Sequence, residues 1–363
     1  MITVERLSMA YGESVVVKDF DLLVPQGKTV VLLGSSGCGK TSAMRCIAGL
    51  EQPTAGRIRV GNNVVFDGAK GINVPANKRN VGMVFQSYAI WPHRTVFENV
   101  AFSLRMKGIL QKDIAAKVKS TLELVGLEEM ADRGASLLSG GQMQRVALAR
   151  SLIMEPTALL LDEPLSNLDA RLRDRLRVEL RETQQRSGLT WLYVTHDQAE
   201  AFALADQVAI MEAGQIIQIG SPEQVYDEPL TARIADFLGV ANILSCRPAA
   251  TESGFGMFDI GEGVRPLRGK LKAAGASGDL KACIRSEDIH FADSRTAANS
   301  WQANIAVVDF QGAFTRYRTK LQSGLSLDVV RARNAGPTLQ VGEPVIVTVA
   351  EDDVMILPSG DKN

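Results

Sequence analysis

Gly34-Ser35-Ser36-Gly37-Cys38-Gly39-Lys40-Thr41 fills every fixed position of the pattern G-x-x-x-x-G-K-[ST]. Residues of these types at this spacing bind phosphate. The glycines let backbone N–H groups turn inward around phosphate oxygens, and a helix opening at Lys40 adds positive potential at its N-terminus. Lys40 is placed to reach the β- and γ-phosphates of a nucleotide as a point charge, and Thr41 to set its hydroxyl on Mg2+.

Further along, Ala158-Leu159-Leu160-Leu161 runs straight into Asp162 and Glu163. The apolar run reads as a buried strand whose acids emerge at its C-terminal end, where ligands bind in open α/β sheets. Asp162 is positioned to support Mg2+ through its water shell. Glu163 turns to a different side and has the chemistry to polarise an attacking water as a general base. The two motifs together fit many nucleotide enzymes.

The elements that must hold these residues are legible as patterns. Ile2–Met9 and Ser14–Val24 are rich in Val, Leu and Ile, with a turn signal at Tyr11-Gly12. Lys28–Leu33 is a continuous apolar run ending at Gly34, as a strand covered on both faces requires. Lys40–Leu50 has helical spacing, stopped by Pro53. Helices are predicted over Val96–Lys107, Asp113–Val125, Gly140–Met154, Ala170–Arg186 and Gln198–Ala205, and strands over Thr157–Leu161, Thr190–Thr195 and Gln207–Met211. Gly188 stands just past the charged Ala170–Arg186 helix as a stop. Such alternation implies a mostly parallel sheet with helices on its faces. Near Gly239–Asn242 the character changes. Short apolar runs follow (Ala282–Arg285, Trp301–Phe310, Arg316–Leu321, Leu325–Val330, Val345–Val349), separated by Gly, Pro, Asn and Ser. They predict a small all-β domain of barrel type. The polar tail, Ser359 to Asn363, reads as disordered.

The chain has 363 residues, enough for about two domains. Its formal net charge of −1 excludes a global field for nucleic acid. The densest basic stretch, Arg171 to Arg181, alternates with acids as a solvated helix face does. No apolar run approaches the roughly 18 to 20 residues needed to span a bilayer. Met1 to Arg6 shows no basic region leading into an apolar core, so no signal peptide is read. A cytosolic chain is expected, with membrane attachment through a partner. Cys38, Cys46, Cys246 and Cys283 form no C-x-x-C pair and show no zinc-like spacing to histidine, so reduced thiols are expected. Cys38 lies inside the phosphate loop, where its modification is expected to block the site.

Leu138-Ser139-Gly140-Gly141-Gln142 opens a helix just before the carboxylate strand. Ser139 can cap that helix while the N–H groups around Gly140 and Gly141 point outward, which makes a second anion site. This segment resembles the signature sequence of ABC transporter ATPases. Other positions of that family follow in order. Tyr11 matches the aromatic that stacks on adenine, and Gln86 the glutamine that contacts Mg2+ and senses the γ-phosphate. Ser166-Asn167-Leu168-Asp169 matches the loop that crosses between subunits, and His196 the histidine that clamps the γ-phosphate and orients Glu163.

The resemblance covers residues 1 to 238 closely. It implies an α/β P-loop NTPase, an ABC cassette with a RecA-like core and a helical subdomain at about 88–155. Residues 239–363 resemble the accessory all-β, barrel-like TOBE/MOP-type domain of importers, with Ile284-Arg285-Ser286-Glu287-Asp288-Ile289 as landmark and Ser286 in place of the more usual Pro. ATP is then expected on Tyr11, Gly34, Ser35, Ser36, Gly37, Cys38, Gly39, Lys40, Thr41, Ser139, Gly140, Gly141, Gln142 and Asp169. Mg2+ falls to Thr41, Gln86 and Asp162, and catalysis to Glu163, His196 and Gln86. The family further implies a head-to-tail homodimer, with each ATP between the phosphate loop of one chain and the Ser139 helix of the other.

The exposed-type aromatics Tyr88 and Trp91, followed by Pro92, match a groove that receives a helix of the transmembrane permease subunit. The expected role is the ATP-hydrolysing subunit of a bacterial binding-protein-dependent importer, peripheral on the cytoplasmic face of the inner membrane. It would be linked indirectly to a periplasmic or extracellular solute-binding protein, and nucleic acid is not an expected partner. Gln86–His93 and Ala232–Asn242 resemble the ferric iron, polyamine and phosphonate members more than the sugar members. A soluble ABC ATPase is the rival reading, but its usual second cassette or coiled-coil insertion is missing. A regulatory module that merely holds ATP would not need Glu163 and His196, and a P-loop kinase would not need the Ser139 signature.

Overall fold

A computed structural model describes residues 1–252, 255–271, 279–295 and 297–360. The chain packs as two units, Met1–Val225 and Tyr226–Asn363.

The centre of the first unit is a six-stranded sheet in the order Gln215–Gly220, Gln207–Glu212, Thr29–Leu33, Thr190–Thr195, Ala158–Asp162, Val81–Val84. Every pairing is parallel except the edge pair Gln207–Glu212 with Gln215–Gly220. Thr29–Leu33, Ala158–Asp162 and Thr190–Thr195 are buried along their whole length. That is why they read as unbroken apolar runs. Register decides where the chemistry emerges. Leu33 pairs with Thr195, Asp162 with Val194, and Val84 with Leu161. The segments that follow, carrying Gly34, His196, Glu163 and Gln86, therefore leave the sheet side by side at one edge.

A second, antiparallel sheet has the order Ser14–Val24, Ile2–Tyr11, Ala55–Val60, Asn63–Asp67, Ile72–Asn73. The helix Lys40–Ala48 is wedged between the two sheets. Its Met44 and Ile47 share one apolar cluster with Ile2 and Phe20 on one side and Leu32 and Leu192 on the other. Each such fully buried side chain contributes about 1.5–3 kcal/mol of apolar transfer, so the phosphate loop is anchored from behind. Val96–Met106, Gln111–Leu124 and Gly140–Leu152 are the helices of the region around 88–155. Thr95 and Glu98 form a capping box on the first of them. The charged helix runs Ala170–Ser187 and ends on Gly188 at φ 61°, where a left-handed residue closes the last turn.

The second unit is all-β apart from short helices. Asn242–Glu252, Phe255–Asp259, Leu267–Leu271, Met355–Pro358 and Leu280–Ile284 close into a barrel. Ile289–Ala292, Pro344–Val349, Ser300–Phe310, Phe314–Leu321 and Ser326–Ala332 form a separate antiparallel sheet. Strict in–out alternation along Phe314–Leu321 places Thr315, Tyr317, Thr319 and Leu321 inward. Phe258, Trp301, Tyr317, Val347 and Ile356 fill the shared core.

The helix Ala232–Phe237 packs with this unit, because Ala232 and Ala235 bury against Cys283, Met355 and Leu357. The sequence reading set the boundary after residue 238. Ser359 is not loose either: its N–H donates to Asp279 O at 2.9 Å and its carbonyl accepts from Arg233 N at 3.2 Å. Residues 361–363 of the expected disordered tail lie outside the described residues. Among those described, no helix is long and apolar enough to cross a membrane.

Candidate active site

The phosphate loop needs its glycines for space and for dihedral angle. A Cβ on Gly34 would lie 2.3 Å from Met211 O, and one on Gly39, at φ 102°, would lie 2.5 Å from Val16 O. Lys40 is 4 % exposed. Its ammonium donates to Gly34 O and Ser35 O, each at 2.8 Å, and lies 3.7 Å from Cys38 Sγ. The loop thus holds its own cation at its centre. The helix behind it has no side-chain cap and no acid in its first turn. Its leading N–H groups suit an anion.

Thr41 Oγ1 donates to Asp162 Oδ1 at 2.8 Å, joining loop and carboxylate strand. Asp162 is 5 % exposed, and burial pushes its carboxyl above the ordinary carboxylate range. A buried carboxylate disfavoured in its charged form is stabilised by a cation. Hydroxyl and carboxylate are hard oxygen donors that suit Mg2+ when substrate phosphates complete the shell. No group of three or more His, Cys, Asp or Glu side chains forms an all-protein metal cage among the described residues.

Glu163 opens the loop after the strand at φ 45°. For a residue with a side chain this costs roughly 1–2 kcal/mol, and Glu163 N donates to Val194 O at 3.0 Å to hold it. Its Oε2 lies 3.1 Å from His196 Nδ1. Ser166 Oγ donates to Glu163 O at 2.9 Å and accepts from Gln86 Nε2 at 3.1 Å. Asn167 Nδ2 donates to Gln86 O at 2.9 Å. Lys40, Thr41, Asp162, Glu163, His196 and Gln86 therefore form one group on one sheet edge. Ser35, Ser36, Gly37 and Cys38 complete the loop beneath it.

The remaining predicted residues sit apart. Ser139 caps the helix Gly140–Leu152 through Gln142 N at 3.4 Å, while Gln142 Oε1 accepts from Ser139 N at 2.9 Å. Asp169 caps its own helix through Leu172 N at 3.0 Å. Gly140 and Gly141 let the two helix starts approach: a Cβ on Gly140 would lie 2.8 Å from Leu168 Cδ2, and one on Gly141 would lie 3.1 Å from Leu176 Cδ1. Among the described residues no hydrogen bond joins Ser139 or Asp169 to the Lys40 group. Tyr11 is 52 % exposed, and a hydrogen bond with Glu51 raises its phenol above the usual value.

Of the two aromatics read as exposed, Tyr88 is buried and Trp91 is half-buried. Tyr88 is 8 % exposed, and burial raises its hydroxyl. Trp91 packs 4.5 Å from Phe102, with the Arg150 guanidinium 4.2 Å above its ring. Trp91 itself stays half-buried, with its ring face paired to the guanidinium by cation–π attraction. A cleft of about 680 Å³ nevertheless runs past Phe85, Tyr88, Ala89, Met106 and Arg150. Sequence reasoning missed Arg173, Asp197 and Glu200, which brace the His196 loop. For Asp197 and Glu200 the signal was Asp197-Gln198-Ala199-Glu200, a D-x-x-E helix start, while Arg173 carried none.

Comparison with known proteins agrees with this geometry. A family profile described as ABC transporter matches residues 17–166, and one described as TOBE domain matches residues 282–357. An Fe(3+) ions import ATP-binding protein, FbpC, of Rhizobium etli is 45% identical over 291 residues, 80% of each chain. FbpC of Brucella melitensis is 50% identical over 253 residues, 70% of each chain. The trehalose/maltose import ATP-binding protein MalK of Thermococcus litoralis is 40% identical over 345 residues, 88% of this chain and 92% of its own. Among solved structures, cbiO1 of Clostridium perfringens, part of the ABC transporter complex cbiONQ, superposes with a TM-score of 0.57 at 29% identity, covering 66% of this chain and 94% of its own. With its phosphate loop, carboxylate pair and signature helix, this chain belongs to the ABC transporter ATP-binding protein family.

Proposed function

We propose that the chain hydrolyses ATP to energise a bacterial binding-protein-dependent importer. The observation that carries this is the convergence of Lys40, the Thr41–Asp162 bond and the Glu163–His196 pair on one sheet edge. Lys40 and the loop amides hold the β- and γ-phosphates. Glu163 takes the proton of the attacking water, and His196 keeps its carboxylate aimed. Thr41, Asp162 and Gln86 would hold Mg2+, whose charge would offset that developing on the phosphate oxygens.

One chain presents one phosphate loop and one capped, exposed Ser139 helix start that no hydrogen bond among the described residues joins to it. We therefore read the working unit as a head-to-tail dimer in which each completes the other's site. Hydrolysis removes the bridging γ-phosphate and the dimer opens. The cleft at Tyr88 and Arg150 is the seat for a permease helix on the cytoplasmic face of the membrane, and a solute-binding protein delivers cargo from the far side. Ferric iron is the favoured cargo, since FbpC proteins are similar over most of the chain. The MalK match over 92% of that protein supports sugar as the second reading.

Uptake of labelled ferric iron, polyamine, phosphonate and trehalose in cells with and without the chain tests both readings. Loss of iron uptake alone is expected. Loss of trehalose uptake with iron uptake intact would move the assignment to sugar. Absence of ATP-dependent phosphate release from the purified protein would remove the ATPase role.

A further inference from the structure

Arg173 lies on the helix Ala170–Ser187, outside the loop, acids and signature just described. Its guanidinium grips two loops at once. Nη2 donates to Leu168 O at 3.1 Å, and Nη1 donates to Asp197 Oδ2 at 3.1 Å. Nε faces Glu200 Oε1 at 3.9 Å. Leu168 belongs to the loop that begins at Glu163: Leu168 N donates to Leu165 O at 3.2 Å and Ser166 N to Glu163 O at 3.2 Å.

On the other side, both chain neighbours of His196 are fixed by the same network. Asp197 N donates to Thr195 Oγ1 at 3.0 Å, and Asp197 Oδ1 accepts from Glu200 N at 3.0 Å. Thr195 Oγ1 and Tyr193 Oη each donate to Glu200 Oε2 at 2.8 Å. Glu200 is 2 % exposed. Burial pushes a carboxylate that deep toward its neutral form; the Thr195 and Tyr193 hydroxyls oppose that first, and the facing guanidinium adds to them.

We infer that Arg173 is a positioning residue for ATP hydrolysis, a fork that locks the Glu163 loop and the His196 loop in one register so that base and histidine meet. The inference rests on the hydrolytic roles of Glu163 and His196. Arg173 touches neither of them. A planar guanidinium satisfies acceptors on two loops while facing a third, whereas a lysine ammonium lacks that fork.

The test uses Arg173→Lys, Asp197→Asn and the double variant of the full-length protein. Asn keeps the helix cap that Asp197 supplies, so folding is preserved while the charged link is lost. Misplacing the two loops is expected to lower kcat roughly 10- to 100-fold, with KM for ATP within about twofold of the parent. The double variant is expected to lose no more than the worse single one, because both break the same link. Amide hydrogen exchange supplies a readout independent of turnover: in Arg173→Lys, peptides spanning 163–169 and 195–198 should both exchange faster, with the rest of the chain unchanged.

A raised KM at unchanged kcat, multiplicative losses in the double variant, or unchanged exchange in both loops would each overturn the inference. If the parent protein releases no phosphate from ATP, the hydrolytic reading itself fails. The exchange comparison then still decides whether Arg173 couples the two loops.

Discussion

His196 Nδ1 lies 3.1 Å from Glu163 Oε2, a contact that bridges 33 residues of sequence. It forms because Asp162 and Val194 are register partners on adjacent parallel strands, so the residues just beyond them leave the sheet together. Glu163→Gln keeps an oxygen that can accept from His196 but abolishes basicity. Turnover should fall about 10²- to 10⁴-fold, while ATP binding persists and the closed dimer accumulates. His196→Ala should cost turnover without adding to the loss in the double variant, as groups acting as a unit do. Phosphate release, nucleotide retention and gel filtration with ATP read these outcomes. Near-parental turnover in Glu163→Gln removes it from the base role.

Lys40 has a different part. Its ammonium bonds Gly34 O and Ser35 O, so it is stationed where phosphate oxygens would replace or join those carbonyls. A hydrogen bond to a charged group contributes about 1.5–3 kcal/mol, so Lys40→Ala should weaken ATP binding roughly 10- to 100-fold. Titration calorimetry in a Glu163→Gln background, where hydrolysis does not interfere, measures it directly. An unchanged Kd would contradict this role for Lys40.

How much of this was legible in the residues depends on how local the cause is. The loop, the acids and the capped signature helix are set by neighbours within a few positions, and each stands where its pattern put it. Thr190–Thr195 was read to the residue because a strand buried on both faces has no polar interruption. The strands Ala55–Val60 and Asn63–Asp67 escaped because the first alternates Arg with Ile and Val, and the second holds only the three-residue apolar run Val64–Phe66 between Asn63 and Asp67. Tyr88 is buried and Trp91 half-buried, and for Trp91 part of the reason is non-local: Arg150, over its ring, comes from the helix Gly140–Leu152. The bracing by Arg173 was invisible in the same way, since its acceptors at Leu168 and Asp197 lie on two separate loops.

Asp162 couples stability to function. Burial raises its carboxyl above the ordinary range. An acid raised in the folded chain binds protons more tightly there than when unfolded. Its contribution to stability therefore falls as pH rises through the folded-state pKa and stays unfavourable at neutral pH. Asn carries no charge, and its carbonyl can still accept from Thr41. Asp162→Asn should thus have a higher Tm than the parent at pH 7 without nucleotide. The gap should shrink as pH is lowered through that range. With Mg-ATP present the order should reverse, because only the parent gains the full stabilisation of bound ligand. Calorimetric scans across pH, with and without Mg-ATP, decide this. A lower Tm for the variant at pH 7 without nucleotide would count against an energetically strained Asp162.

The four thiols should react unequally. Burial pushes Cys46 up to about 12, Cys246 to about 11 and Cys283 to about 12. At neutral pH they hold almost no thiolate, the form that attacks a maleimide. Cys38 is also buried, at 6 % exposure, but it sits in the loop that must admit nucleotide, with Sγ 3.7 Å from the Lys40 ammonium. An adduct there would press on the Gly34 backbone, where a single added Cβ already meets Cys38 Sγ at 2.8 Å. Treatment of the folded protein with a maleimide should therefore stop at one label per chain, on Cys38, with ATPase activity lost in proportion to labelling. ATP should protect both the thiol and the activity. Peptide mass mapping against residual turnover checks it: full activity in protein labelled at Cys38 would show that the loop tolerates bulk where the phosphates are expected to lie.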